Sequence, residues 1–223
     1  MFKGCRLLGG CLTDIQADSA TSVYRLFEGC TSLMTIRESY SFPEAINGDN
    51  MFNKCQMLTN APRLSMPKAE NLSFMFNNCI NLKTTQAYNF PKARKLSSFY
   101  RSCKLLEVVE ELIAPEATNV TSIWEDTASL RVVKSIGGPK AQEFSYMFYA
   151  ASQANLVEIP SVIDTSSATN ITYMNLYSSG SSVIRTEEVT FIGVRSGLDF
   201  YGHPGVKRIR IQNQSELCQN LNF

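Results

Sequence analysis

Five prolines recur every 24 residues, at Pro43, Pro67, Pro91, Pro115 and Pro139, and each is followed two positions later by alanine: Ala45, Ala69, Ala93, Ala117 and Ala141. Eight residues after each proline comes a bulky pair: Met51-Phe52, Met75-Phe76, Phe99-Tyr100, Ile123-Trp124 and Met147-Phe148. A unit this short cannot bury its apolar positions alone. Stacked at the spacing of parallel strands, ~4.8 Å per rung, every internal unit is covered on both sides. The period therefore predicts a solenoid.

One unit reads Met-Phe-x-x-Cys-x-x-Leu-x-x-apolar-x-x-apolar-x-x-Pro-x-Ala-x-x-Leu-Ser-x. The chain opens in phase with it at Met1-Phe2-Lys3-Gly4-Cys5, and the phase persists to Met174. The leucine column runs Leu8, Leu33, Leu58, Leu82, Leu106, Leu130 and, after a two-residue insertion, Leu156. Three positions further on stand Ile36, Ala61, Thr85, Val109, Val133 and Ile159. Alanine outlasts proline: the first unit keeps Ala20 without the proline, and the seventh keeps Ala168 with Ser166 in the proline's place. Within a unit we expect a short strand at Leu-x-x-apolar, a second extended stretch at Pro-x-Ala-x-x-Leu-Ser, and a helical turn or short helix at Met-Phe-x-x-Cys. The column Phe2, Phe27, Phe52, Phe76, Tyr100, Trp124 and Phe148 reads as an internal aromatic spine, each buried ring contributing about 1.5–3 kcal/mol.

From about residue 181 the pattern degrades. Ser178-Ser179-Gly180-Ser181-Ser182 reads as a loop, Thr186 to Ile192 as a strand, and Val206 to Ile211 as a last strand after the Gly202-His203-Pro204-Gly205 turn. Two regions follow: a repeat solenoid over residues 1–180, and degenerate terminal repeats over 181–223 that close the core as a cap.

The formal net charge of +1 gives no global attraction for nucleic acid. No stretch has the length and composition of a membrane-spanning helix, so no membrane insertion is expected. Met1 falls directly in the first unit with no signal peptide before it. We therefore expect the chain either to be a fragment or to have its uncapped first unit covered by self-association or by docking on a partner.

Cys5, Cys30, Cys55, Cys79 and Cys103 form one column that continues as Thr127, Ala151 and Ser178. A position that accepts Cys, Thr, Ala and Ser asks for a small buried side chain, and free cysteine behaves as a small hydrophobe. Zinc sites need close Cys or His pairs, and the sequence has no Cys-x-x-Cys; Cys5 and Cys11 lack a matching pair. The one histidine, His203, sits in a turn. With no nucleophile elbow, Walker loop or paired-carboxylate motif, we expect no enzyme, no metal and no cofactor.

A solenoid binds through exposed columns between its apolar ones. One column runs Lys83, Glu107, Arg131 and another Gln86, Glu110, Lys134; alternation in sign explains both as neighbours that offset each other between rungs. The column after the proline differs, because Lys68 and Lys92 are adjacent like charges with Arg94 and Lys95 close by and Glu70 the obvious offset. Lys68, Lys92, Arg94, Lys95, Arg101 and Lys104 are the candidate binding residues, a basic patch on the third to fifth units suited to an acidic protein or glycan. The sequons at Asn119 and Asn170 follow from the repeat itself.

The phrases Met51-Phe52-Asn53-Lys54-Cys55-Gln56-Met57-Leu58 and Met75-Phe76-Asn77-Asn78-Cys79-Ile80-Asn81-Leu82 resemble the BspA-like leucine-rich repeat family over roughly residues 1–180. The resemblance implies an α/β leucine-rich repeat solenoid of about eight coils of 24–25 residues, with one parallel strand per coil and short helices or turns between. It also implies a non-catalytic binding or adhesion module, extracellular or on a cell surface, that meets a protein or glycan. A structural component of a larger assembly, such as a phage particle or tail accessory protein, is the alternative.

Overall fold

A computed structural model of the chain describes residues 2–8, 15, 17–34, 36, 38–134, 138–150, 160, 162–170, 188–192, 208–212 and 219–222. Met1, Cys11, Leu156, Ile159, Met174, the 178–182 loop and the turn holding His203 lie outside the described residues.

Ten short strands are described: β1 (Ser39–Ser41), β2 (Arg63–Ser65), β3 (Tyr88–Asn89), β4 (Val108–Val109), β5 (Leu112–Ile113), β6 (Val132–Val133), β7 (Val162–Asp164), β8 (Glu188–Ile192), β9 (Arg208–Gln212) and β10 (Gln219–Asn222). Each of the pairs β1–β2, β3–β5 and β4–β6 is parallel and joins residues 24 apart, as in Tyr40 with Leu64, Tyr88 with Leu112 and Val109 with Val133. A third ladder consists of single bridges, Ser22 to Asn47, Asn71, Lys95, Asn119, Glu143 and Asn170, all parallel. Each described repeat unit is thus joined to the next through equivalent positions. The last sheet runs β7–β8–β9 in parallel and ends on antiparallel β10. The C-terminal strands expected over 186–192 and 206–211 are present as β8 and β9.

The second extended stretch lies earlier than expected. Pro-x-Ala is a turn, and the strand precedes it. The N–H of Ala45 donates to the carbonyl of Phe42 at 3.1 Å, and the same bond recurs from Ala69 to Met66, Ala93 to Phe90, Ala117 to Ala114, Ala141 to Gly138 and Ala168 to Thr165. Proline therefore occupies the second position of a four-residue turn, where its fixed φ fits and its missing N–H costs nothing. Ser166 fills that position in the seventh unit by donating its own N–H to Asp164 Oδ1 at 2.9 Å. The alanines that close these turns in the second to sixth units are buried, which explains why the small residue persists where the proline does not.

The Met-Phe-x-x-Cys segment is an arc of turns, and no helix occurs among the described residues. The reason lies in where its N–H groups go. Where the second unit passes into the third, the N–H groups of Gly48, Asn50, Phe52 and Lys54 donate to the carbonyls of Asn71, Ser73, Met75 and Asn77, each one unit further along, while those of Met51, Asn53 and Cys55 close local turns. A helix would direct all of them along its own axis. Here alternate peptides stand parallel to the stack instead. Two positions per unit take positive φ to permit this: Arg25, Asn50, Phe74, Ser98, Ser122 and Tyr146 in one column, and Gly4, Gly29, Lys54, Asn78, Ser102, Asp126 and Ala150 in the other.

The core follows the columns. Phe27, Phe52, Phe76, Tyr100, Trp124 and Phe148 are buried, and the rings of Phe27, Phe52, Phe76 and Tyr100 lie nearly parallel at 5.1, 5.3 and 5.7 Å. Phe2 extends this stack at 5.7 Å from Phe27. Tyr40, Leu64, Tyr88 and Leu112 form a second buried column on the strands, in which the Tyr88 hydroxyl donates to the Pro62 carbonyl at 2.7 Å. A Cβ at Gly48 would meet Met66 Cε at 2.8 Å and Leu72 Cδ2 at 2.9 Å, so the ends of those side chains would have to shift to admit one.

Cys30, Cys55, Cys79 and Cys103 are buried, unpaired thiols, and no disulfide occurs among the described residues. Their column has a polar role that its composition did not announce. Each Sγ lies 3.1 Å from the carbonyl oxygen of the aromatic residue one unit earlier, Cys30 on Phe2, Cys55 on Phe27, Cys79 on Phe52 and Cys103 on Phe76. Cys5 is exposed, contrary to the buried position expected for the column, because no described unit lies on the side toward which these thiols point. Burial pushes the thiol pKa up at all four buried positions, well above the usual range at Cys79.

Candidate binding face

The six cations singled out from the sequence divide into two sets. Lys68 Nζ lies 2.6 Å from one carboxylate oxygen and 2.7 Å from the other of Glu44, the residue at the same position one unit earlier. Glu44 and not Glu70 is thus the offsetting group. Arg101 meets Glu125 at 2.8 Å and Lys104 meets Asp126 at 3.8 Å, again one unit away. These three charges are compensated at the surface, which removes half of the expected basic patch.

Lys92, Arg94 and Lys95 are exposed, and no carboxylate among the described residues lies within ion-pair distance of them. The column after the proline shows why Lys92 stands alone. It reads Glu44, Lys68, Lys92, Glu116, Lys140; Glu44 takes Lys68, and Glu116 takes Lys140 at 2.7 Å. The other alternating columns behave differently from each other. Lys134 meets Glu110 at 2.5 Å, whereas Lys83, Glu107 and Arg131 form no ion pair among the described residues.

Arg94 and Lys95 line an open recess of about 370 Å³ together with Ile46, Asn47, Glu70 and Asn71. The six residues are the first and second positions after the alanine in three consecutive units. Their backbones form one ladder: the N–H groups of Glu70 and Asn71 both reach the Ile46 carbonyl, and those of Arg94 and Lys95 both reach the Glu70 carbonyl at 2.9 and 3.1 Å. The floor is thereby fixed by backbone hydrogen bonds alone. Asn47 Oδ1 accepts the N–H of Asp49 at 3.0 Å, and Asn71 Oδ1 accepts that of Ser73 at 3.1 Å. These turns consume the amide oxygens and leave both Nδ2 groups as donors. Ile46 is 48% exposed and adds an apolar surface at one end.

Sequence reasoning found Arg94 and Lys95 but did not bring Ile46, Asn47 and Asn71 into the site. Their shared columns were the available signal. Among the described residues no group of three or more His, Cys, Asp or Glu side chains could hold a metal ion, and no helix is long and apolar enough to cross a membrane. No family model, curated protein or solved structure matches the chain.

Proposed function

We propose that the chain is a leucine-rich-repeat-type solenoid of the BspA-like kind, serving as a non-catalytic binding or adhesion module with an extended face for a protein or glycan. The parallel ladders at the 24-residue period support the architecture. The binding role rests on one observation. Arg94 and Lys95 line an open recess without a carboxylate partner, whereas Lys68, Arg101, Lys104, Lys134 and Lys140 are each compensated by a neighbouring unit. Like charge left uncompensated on a repeat surface contributes nothing to the stack and is suited to meeting a partner.

The test is binding to a defined panel of immobilised acidic and neutral polysaccharides and proteins, with an Arg94→Glu/Lys95→Glu variant alongside. The expected result is capture of acidic members by the wild-type chain, lost in the variant at unchanged melting temperature. Capture of no member, or capture indifferent to the double substitution, would refute the reading.

A further inference from the structure

Resting on that binding reading, the geometry points to an acidic polysaccharide, a chain of uronate-type sugars, as the ligand of the recess formed by Ile46, Asn47, Glu70, Asn71, Arg94 and Lys95. We infer this from the kind and spacing of the groups presented. The donors are arranged in a row. Asn47, Asn71, Lys95 and Asn119 are consecutive members of one parallel ladder, and the three asparagines all have Oδ1 tied to the N–H two residues on. The residues that carry Nδ2, Nδ2, Nζ and Nδ2 therefore follow one another at rung spacing along the backbone, about 4.8 Å, with Arg94 next to the third.

That row discriminates among anionic chains by period. An extended peptide places side chains on one face every second residue, about 6.6 Å apart, and slips out of step with the rungs within a few residues. A pyranose ring advances its chain by about one rung, so successive sugars meet successive donors. The composition of the recess agrees. Arg94 offers a planar fork to a uronate carboxylate, Lys95 a second cation, and Ile46 an apolar patch for the C–H face of a ring. Glu70 adds a carboxylate that accepts hydrogen bonds from sugar hydroxyls.

The experiment is calorimetric titration of the full chain with tetragalacturonate, with the same oligosaccharide methyl-esterified at its carboxylates, and with a tetraglutamate peptide. Arg94→Gln and Lys95→Gln are the site variants, and Lys68→Gln, whose charge Glu44 already holds, is the control. Tetragalacturonate is expected to bind, to weaken at least tenfold in either site variant and on esterification, and to be little affected by Lys68→Gln. Equal or tighter binding of tetraglutamate would overturn the glycan assignment and leave the binding face standing with a peptide partner. Absence of binding by all three probes would overturn the glycan assignment; the panel experiment above then decides separately whether the face binds anything.

Discussion

The thiol of Cys79 donates to the carbonyl of Phe52, 27 residues earlier and one unit back, at 3.1 Å. The same oxygen also accepts the N–H of Cys55 from its own unit. The cysteine column thus ties consecutive units together at the edge of the aromatic spine, and the carbonyl it uses is not orphaned when the thiol is removed. Loss of one such bond is worth about 0.5–1.5 kcal/mol. Cys79→Ala should lower stability by about that amount and Cys79→Ser by less, because a hydroxyl keeps a donor; the column's natural hydroxyl, Thr127, turns to the Trp124 carbonyl of its own unit at 2.6 Å. Urea midpoints decide the matter, and a serine variant less stable than the alanine one would mean that the site is purely apolar.

Alkaline pH should unfold the chain early. Burial raises the pKa of Cys30, Cys55, Cys79 and Cys103 above the ordinary 9.0. Below pH 9 these thiols are protonated whether folded or not and contribute no pH dependence. Above it the unfolded chain ionises and the folded chain does not, so stability falls as pH rises, by up to ~1.4 kcal/mol per thiol for each further pH unit. The buried Tyr88 and Tyr100 phenols, also pushed up mainly by burial, join in above their ordinary value of 10.0. Thermal melts from pH 7 to 11 should show a decline that a Cys79→Ala/Cys103→Ala variant makes shallower.

Phe76 is packed between rings of both neighbouring units, stacked on Phe52 at 5.3 Å and Tyr100 at 5.7 Å and edge-on to Phe99 at 5.7 Å. Phe76→Ala should cost roughly 3–5 kcal/mol, and Phe76→Leu distinctly less because most of the volume remains. Chemical denaturation of both variants reads the difference, and equal losses would show that ring volume is not what the spine uses.

Backbone conformation makes a different demand at Lys54, whose φ is +63°. A side chain there bears a left-handed penalty of about 1–2 kcal/mol, from which glycine is exempt at some cost in chain entropy. Lys54→Gly should therefore be neutral to stabilising by about 0.5 kcal/mol, and Lys54→Val destabilising by more than 1 kcal/mol. The opposite order of melting temperatures would contradict a left-handed residue at this point.

What the sequence revealed and what it hid have a common physical basis. Side-chain columns were legible because burial selects residue type: only large rings suit the positions of Phe52 and Phe76, and only small residues the positions of Ala45 and Ala69. The path of the backbone was harder to read. Met-Phe-x-x-Cys has the composition of a short helix, and what prevents one is a pair of left-handed positions whose occupants, such as Phe74 and Lys54, carry little trace of that conformation. The Gly4, Gly29, Asn78, Asp126 members of the second column were the available hint. At the surface, pairing across units could be seen for Glu110 and Lys134, yet Glu44 was overlooked as the partner of Lys68 because the offset was sought within the nearest sequence and not one unit back.

The Glu44–Lys68 pair gives the last prediction. Both side chains are about half exposed, so the interaction contributes no more than about 1 kcal/mol, and Glu44→Gln should move the melting temperature little. It should nevertheless alter binding. Lys68 stands three residues before Asn71 and one unit before Lys92, so freeing it adds an uncompensated cation next to those already present. Affinity for a uronate oligosaccharide should rise in Glu44→Gln, and its logarithm should fall more steeply with added salt than in the wild-type chain, since exposed charges are screened within a Debye length of about 10 Å at 0.1 M salt. Titrations at 50 and 200 mM salt measure both quantities. An unchanged salt slope would place the ligand away from the proline column and confine it to the recess of Arg94 and Lys95.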